Sequence, residues 1–322
     1  MPELMGKSVL VTGGAGFIGS HLVDRIISEN PSKIVVVDNF FLGKEENLVS
    51  ARESHPGLRV YRLDASNLAA MHQLVEQEKI EVVFDLAVIP LPTSLEFPAW
   101  TVEKNVGIAT TLCELARWKC IETLIHCSSS EAYGSARYTP MDEKHPLLGR
   151  TPYAASKSAA DQIVRSYWMT FDIDMAIVRP FNNFGPRQNP GTYAGIIPIV
   201  VNRVMNEKPI EIFGDGEQTR DFIFVRDTVD AIARIYKQDL TRNKVINIAT
   251  GHEISVNLLV TRLLNVLGVP DHPVVHIDPR PGDVRRHCGD IELASKLIKF
   301  NPSVISDDNL GETVEWYIRR LN

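Results

Sequence analysis

A short apolar run, Val9-Leu10-Val11, passes without a break into Thr12-Gly13-Gly14-Ala15-Gly16-Phe17-Ile18-Gly19. Few local patterns restrict a fold so severely. The β-branched run reads as a strand, and an amphipathic stretch near residues 17–28 reads as a helix. Three glycines at 13, 16 and 19 lie between and within them. Gly13 permits a tight turn, Gly16 lets the backbone approach a ligand, and Gly19 lets the helix lie close to the strand. A helix beginning at such a loop turns its partial positive charge toward a bound phosphate. The spacing is GxxGxxG, within a strand-turn-helix context that a chance glycine run lacks.

Further strand-then-helix alternation supports this reading. Apolar runs at Ile34–Val37, Leu58–Tyr61, Val82–Phe84 and Thr123–His126 are separated by helical patterns near 67–78 and 100–118. A helix near 152–170 and a strand at Ala176–Val178 follow. The pattern predicts an α/β fold with a doubly wound, Rossmann-type parallel sheet. After residue 180 Pro and Gly cluster at 182–195, 214–216 and 279–282, with short helices near 195–206, 227–237, 255–267 and 307–320. We read 1–180 as a dinucleotide-binding domain and 181–322 as a smaller α/β lobe. The reading allows that lobe to return a strand or helix to the first domain, and the two share one cleft. The length of 322 residues suits one large domain or two.

The second strand ends in Asp38-Asn39, about 20 residues beyond the loop, where an acidic side chain can bind both ribose hydroxyls of an adenosine. It repels a 2′-phosphate, which favours NAD over NADP. Asp64, after the third strand, is placed to accept from an adenine amine or to cap the next helix. Tyr153 and Lys157 share one helix face by their i, i+4 spacing. A nearby ammonium is expected to lower the phenol pKa. Ser128-Ser129-Ser130 follows the strand at 123–126, where a hydroxyl can reach a ligand at the sheet edge. Ser, Tyr and Lys beside a nicotinamide make an alcohol-oxidising site.

These residues resemble an extended short-chain dehydrogenase/reductase of the nucleotide-sugar epimerase and dehydratase family. The resemblance spans nearly the whole chain and includes Leu86-Ala87-Val88, Ser128–Gly134, Arg179–Asn182, Gly185-Pro186-Arg187 and Gly214–Phe222. It implies a cofactor surface of Gly13, Gly16, Phe17, Ile18, Gly19, Asp38, Asn39, Asp64, Ala65, Leu86, Ala87, Val88, Tyr153, Lys157 and Pro180. It also implies a nucleotide-sugar substrate. Ser129 would hydrogen-bond the reacting sugar hydroxyl oxygen, Asn182 would hold the sugar diphosphate, Phe213 the base, Arg220 and Arg280 the phosphates, and Asp283 would lie near the nucleotide ribose. Two guanidiniums can each bind phosphate bidentately.

Within the family, Ser129 takes the catalytic Ser/Thr position and Glu131 the place where dehydratases carry the base that removes the C5 proton. Ser130 stands where dTDP-glucose 4,6-dehydratases place an aspartate, and is counted with the catalytic set. The pattern most resembles the UDP-N-acetylglucosamine 5,6-dehydratases of tunicamycin biosynthesis. A UDP-sugar 4-epimerase is the alternative, followed by a 4,6-dehydratase or a decarboxylase. Two departures stand out: Asp85 replaces a histidine common in the family, and the segment 89–94 is proline-rich.

Net charge is −6 and the pI about 5.9, a balance that lacks the basic footprint of nucleic-acid or anionic-membrane binders. Four cysteines form no CxxC pair, and no His/Cys cluster at metal spacing is visible, so no metal is expected. No signal peptide or membrane-length apolar run is visible, and we expect a reduced, cytoplasmic protein. The family resemblance implies a homodimer, with helices near 100–118 and 152–170 as its candidate face. Trp118, Tyr167 and Trp168 could lie there or in the core.

Overall fold

A computed structural model describes residues 2–191, 195–279 and 284–321. The first half alternates strands β1 (Ser8–Thr12), β2 (Lys33–Asp38), β3 (Leu58–Arg62), β4 (Val82–Asp85), β5 (Thr123–Cys127) and β6 (Asp174–Pro180) with helices. These are α1 (Phe17–Ile27), α2 (Val49–Ser54), α3 (Leu68–Glu78), α4 (Leu91–Glu96), α5 (Pro98–Arg117) and α6 (Pro152–Phe171). The second half adds β7 (Asn182–Phe184), α7 (Ile196–Met205), β8 (Ile210–Phe213), β9 (Thr219–Arg220), β10 (Phe222–Phe224) and α8 (Val225–Lys237). It ends with β11 (Val245–Ile248), β12 (Ile254–Ser255), α9 (Val256–Val266), β13 (Val274–Ile277), α10 (Glu292–Ile298) and α11 (Asp307–Leu321).

One parallel sheet carries the fold, in the order β3-β2-β1-β4-β5-β6-β11. Its inner strands β1, β2 and β4 are apolar on both faces, as a sheet covered on both sides requires. On one face, Val9, Val11, Ile34 and Val36 pack against Leu22, Ile26, Ile232 and Ile235 from α1 and α8. On the other, Leu10, Val35, Val83 and Leu124 pack against Leu112, Val164 and Trp168 from α5 and α6. A third cluster joins α7, α9 and α11 to β8 and β10.

The chain crosses back in the second half. β11 pairs with β6 as the seventh strand, and α8 lies against α1. The remaining strands make three two-stranded pairs, β7 with β10, β8 with β13, and β9 with β12. The sequence pattern did not show the short helices α2, α4 and α10, because each is too brief to display a period. Trp168 is buried in the core, Tyr167 hydrogen-bonds to Glu114, and Trp118 is 43% exposed. Among the described residues no helix is long and apolar enough to cross a membrane.

Candidate active site

The carboxyl ends of β1, β2, β4, β5 and β6 open into one cleft of about 1120 Å³, roofed by residues of the second half. It is where an open α/β sheet places its ligand. Of the sequence-predicted residues, all but three line it. Ser130 is buried and absent from the lining. Arg280 and Asp283 lie outside the described residues.

At the β1 end the backbone makes the surface. Gly13 has a φ of +64°, and a Cβ there would sit 2.7 Å from the Leu86 carbonyl oxygen and the Ala87 nitrogen. A Cβ on Gly19 would stand 2.1 Å from the Gly13 carbonyl oxygen. α1 begins at Gly16 with no side-chain cap and no acidic residue in its first turn. Its first N–H groups are therefore available to an anion. Asp38 accepts from Ala15 N at 3.0 Å and Phe40 N at 2.8 Å. Burial pushes its pKa up, against those hydrogen bonds. Asp64 accepts from Ser66 N and Oγ and pairs with Lys104 at 2.8 Å, so its carboxylate is held by neighbours on its own side of the cleft. Asn67, not Asp64, caps α3. These residues fit a dinucleotide whose pyrophosphate meets the α1 N-terminus and whose ribose meets Asp38.

At the β5 end, Ser129 opens a single helical turn, Ser130–Tyr133, and its Oγ accepts from Glu131 N at 3.2 Å. Tyr153 and Lys157 project from the first turns of α6, which is capped by Thr151 and has Pro152 at its first position. Lys157 Nζ donates to the Cys127 carbonyl at 2.7 Å. The expected lowering of the Tyr153 pKa does not occur in this state. Burial pushes the phenol up, the Ser129 hydrogen bond opposes it, and the Glu131 charge adds to the rise. The phenol is thus neutral here, because Lys157 is directed at a carbonyl and dehydration of the phenolate dominates. Ser128 Oγ is buried at the cleft with no hydrogen-bond partner among the described residues.

Beneath this edge runs a buried polar row. Asp85 accepts from Thr12 Oγ1 at 2.7 Å and meets His126 Nδ1 at 2.7 Å. His126 Nε2 lies 3.8 Å from Asp161, which pairs with Arg179 at 2.8 Å. Arg179 sits 4.7 Å over the Tyr133 ring. Asp85 therefore ties its own strand, β4, to β1 and β5 where the family's common histidine would stand.

At the second-half end, Asn182 N donates to the Asp221 carbonyl at 3.0 Å. Arg220 donates to the carbonyls of Thr219 and Val284 at 2.8 and 2.6 Å. Phe213 lines the cleft on β8. Sequence reasoning assigned no role to Arg187, which lines the cleft with φ +68° and pairs with Asp24 of α1 at 2.7 Å. It also assigned none to Gln218, another lining residue. Away from the cleft, ligand atoms of His72, Glu76 and Cys120 lie within 4.8 Å of one another, a grouping hidden in sequence by the distance between α3 and the end of α5.

The description "NAD dependent epimerase/dehydratase family" matches residues 9–249. The chain belongs to that family. A UDP-glucose 4-epimerase from Mycolicibacterium smegmatis is 35% identical, over 96% of this chain and 97% of that one. Among solved structures, a UDP-N-acetylglucosamine 4-epimerase from Methanobrevibacter ruminantium has a TM-score of 0.90 at 34% identity, covering 98% and 99% of the two chains. A dTDP-glucose 4,6-dehydratase from Streptomyces venezuelae, with NAD bound, has a TM-score of 0.90 at 28% identity, covering 97% of each chain. The protein is an enzyme of this family, and NAD is its cofactor.

Proposed function

We propose that this family member is an NAD-dependent nucleotide-sugar dehydratase acting on UDP-N-acetylglucosamine, removing water across C5 and C6. The observation that carries the reading is Glu131, which lines the cleft one residue beyond Ser130 and acts electrostatically on Tyr153. A simple 4-epimerase has no use for a second carboxylate base at that point.

When bound, NAD would supply a reversible hydride acceptor for C4. Tyr153 acts here as the phenolate, a form that requires the Lys157 ammonium to turn from the Cys127 carbonyl toward it; it receives the C4 hydroxyl proton, and Ser129 hydrogen-bonds the same oxygen. Lys157 holds the nicotinamide ribose. The C4 ketone acidifies the C5–H bond, and the Glu131 carboxylate removes that proton. Glu131 then gives the proton to the C6 hydroxyl, which leaves as water as the C5–C6 double bond forms. Tyr153 returns its proton to the C4 oxygen. Arg220, with Arg280, would grip the diphosphate, and Asn182 and Phe213 would hold the sugar-proximal phosphate and the base.

The sugar assignment has separate support. Val88, Ile89, Pro90, Leu91 and Pro92 form a cleft wall with no basic side chain. Arg187 is already paired with Asp24. That wall suits a neutral hexosamine better than a uronate. A 4-epimerase is the second reading, favoured by the relatives at 35% and 33% identity.

Glu131→Gln tests the proposal. In the dehydratase reading, water loss from UDP-N-acetylglucosamine falls by roughly 100-fold or more, while nicotinamide reduction by the sugar survives. Undiminished turnover of the variant to an isobaric product would favour the epimerase.

A further inference from the structure

The turn that carries Glu131 is held from two sides. From α6, Ser158 Oγ donates to the Ala132 carbonyl at 3.0 Å. From the second half, His287 Nε2 meets the Ser130 carbonyl at 3.2 Å. His287 has no exposed surface, and its ring lies 5.0 Å from Phe181. Burial, and after it the Arg220 charge, pushes its pKa down to about 4. A carbonyl oxygen can only accept, so the proton of the neutral ring sits on Nε2. The Nδ1 atom is left buried with no hydrogen-bond partner among the described residues. A lone pair sealed off in this way is costly, and His287 performs none of the steps assigned above.

The backbone around His287 explains its reach. Thr219 N donates to the Arg285 carbonyl at 3.0 Å, and Asp221 N donates to the His287 carbonyl at 2.9 Å. Arg220 therefore lies between two rungs that tie its strand to the segment bearing His287. On the far side, Met141 N donates to the Cys288 carbonyl at 2.8 Å. His287 thus links the Arg220 strand to the residue immediately before Glu131.

We propose that His287 is a positioning residue for Glu131, its Nε2–H fixing the Ser130 carbonyl and with it the direction of the carboxylate. The role assigned to Glu131 rests on the dehydratase reading; the hydrogen bond does not. Without the donor, the Ser130 carbonyl is left buried and unsatisfied, and the turn relaxes away from the pose needed at C5. A displacement of about 1 Å at a reacting group can cost roughly 100-fold in rate. C4 oxidation, which uses Tyr153 and Ser129, continues, so reduced nicotinamide accumulates on the enzyme.

Two measurements test this. In the unsubstituted protein, nitrogen NMR of labelled histidine should show His287 in the Nε2–H form, without titration near neutral pH. The Nδ1–H form, or a ring that protonates near its ordinary pKa, would overturn the proposal whatever the substrate is. Two variants of similar length then separate donation from packing. His287→Met should lose roughly 100-fold in kcat on UDP-N-acetylglucosamine with KM little changed. It should also show a larger steady absorbance from reduced nicotinamide. His287→Gln, which retains an N–H donor, should recover most of kcat. Equal kcat in the two folded variants, or a joint loss of kcat and bound NAD, would overturn it. An isobaric wild-type product would instead remove the dehydratase reading and leave the NMR result standing.

Discussion

At the cofactor end of the cleft the backbone makes the site; at the sugar end side chains on short strands and loops make it. Gly13, Gly16 and Gly19 offer space and N–H groups, and their neighbours are main-chain atoms of the loop itself and of Leu86–Ala87 just beyond β4. Arg220, Phe213 and Gln218 instead stand on two-stranded pairs and turns. The first kind of site is fixed by the fold, which many sequences can build. The second is fixed by individual residues, which is where members of one family can differ in substrate. Two buried histidines join the ends. His21 of α1 donates to the Pro186 carbonyl at 2.9 Å, and His287 donates to the Ser130 carbonyl.

The largest effect expected belongs to the catalytic edge that both ends share. Tyr153→Phe should lower turnover by roughly 1,000-fold, with NAD binding unchanged by fluorescence titration. Retained turnover would remove the phenol from the mechanism.

Next comes the backbone-built end. Gly19→Ala forces a Cβ against the Gly13 carbonyl. At overpacking costs of about 1–3 kcal/mol, NAD affinity should fall by roughly 10- to 100-fold. UDP binding, measured by calorimetry, should hardly move. If UDP binding falls equally, the two ends are not independent.

The converse is Arg220→Met. Losing charge-assisted hydrogen bonds to a diphosphate should weaken UDP roughly 10-fold and leave NAD affinity intact. A variant that binds UDP like the parent would place the phosphate grip elsewhere.

The smallest effect concerns the histidine links. His21 and His287 both have pKa values pushed down to about 4 from 6.5, in each case chiefly by burial. Between those values the unfolded chain binds protons that the folded chain refuses. Stability is therefore full above about pH 6.5 and declines as pH falls toward 4. Melting temperature should drop by roughly 3–6 °C between about pH 7 and pH 5 from this source. His21→Gln/His287→Gln should flatten that slope. An unchanged slope would mean the links do not govern acid stability.

How much was legible in sequence follows the same division. The strand-glycine-helix start, Asp38, and the Tyr153–Lys157 pair could be read because each is a local spacing with one geometric meaning. The parallel sheet with helices on both faces could be read from the alternation, but the order of its strands could not. The return of Val245–Ile248 to the sheet was only partly legible, as a general allowance for a returning element. His287 against Ser130 and Asp85 against His126 were not legible, because such partners meet only after folding. Ser130 shows the limit from the other side. Its position in the motif suggested catalysis, yet the turn sends its side chain into the interior. The upward shift of the Tyr153 pKa was likewise hidden, since spacing reveals the neighbouring lysine and not the loss of water.

We propose that Glu131 makes this enzyme eliminate water. The most direct test is the mass of the product that the purified protein forms from UDP-N-acetylglucosamine with NAD. The account predicts a product lighter by one water, with no net consumption of NAD. A product of unchanged mass, epimerised at C4, would contradict it.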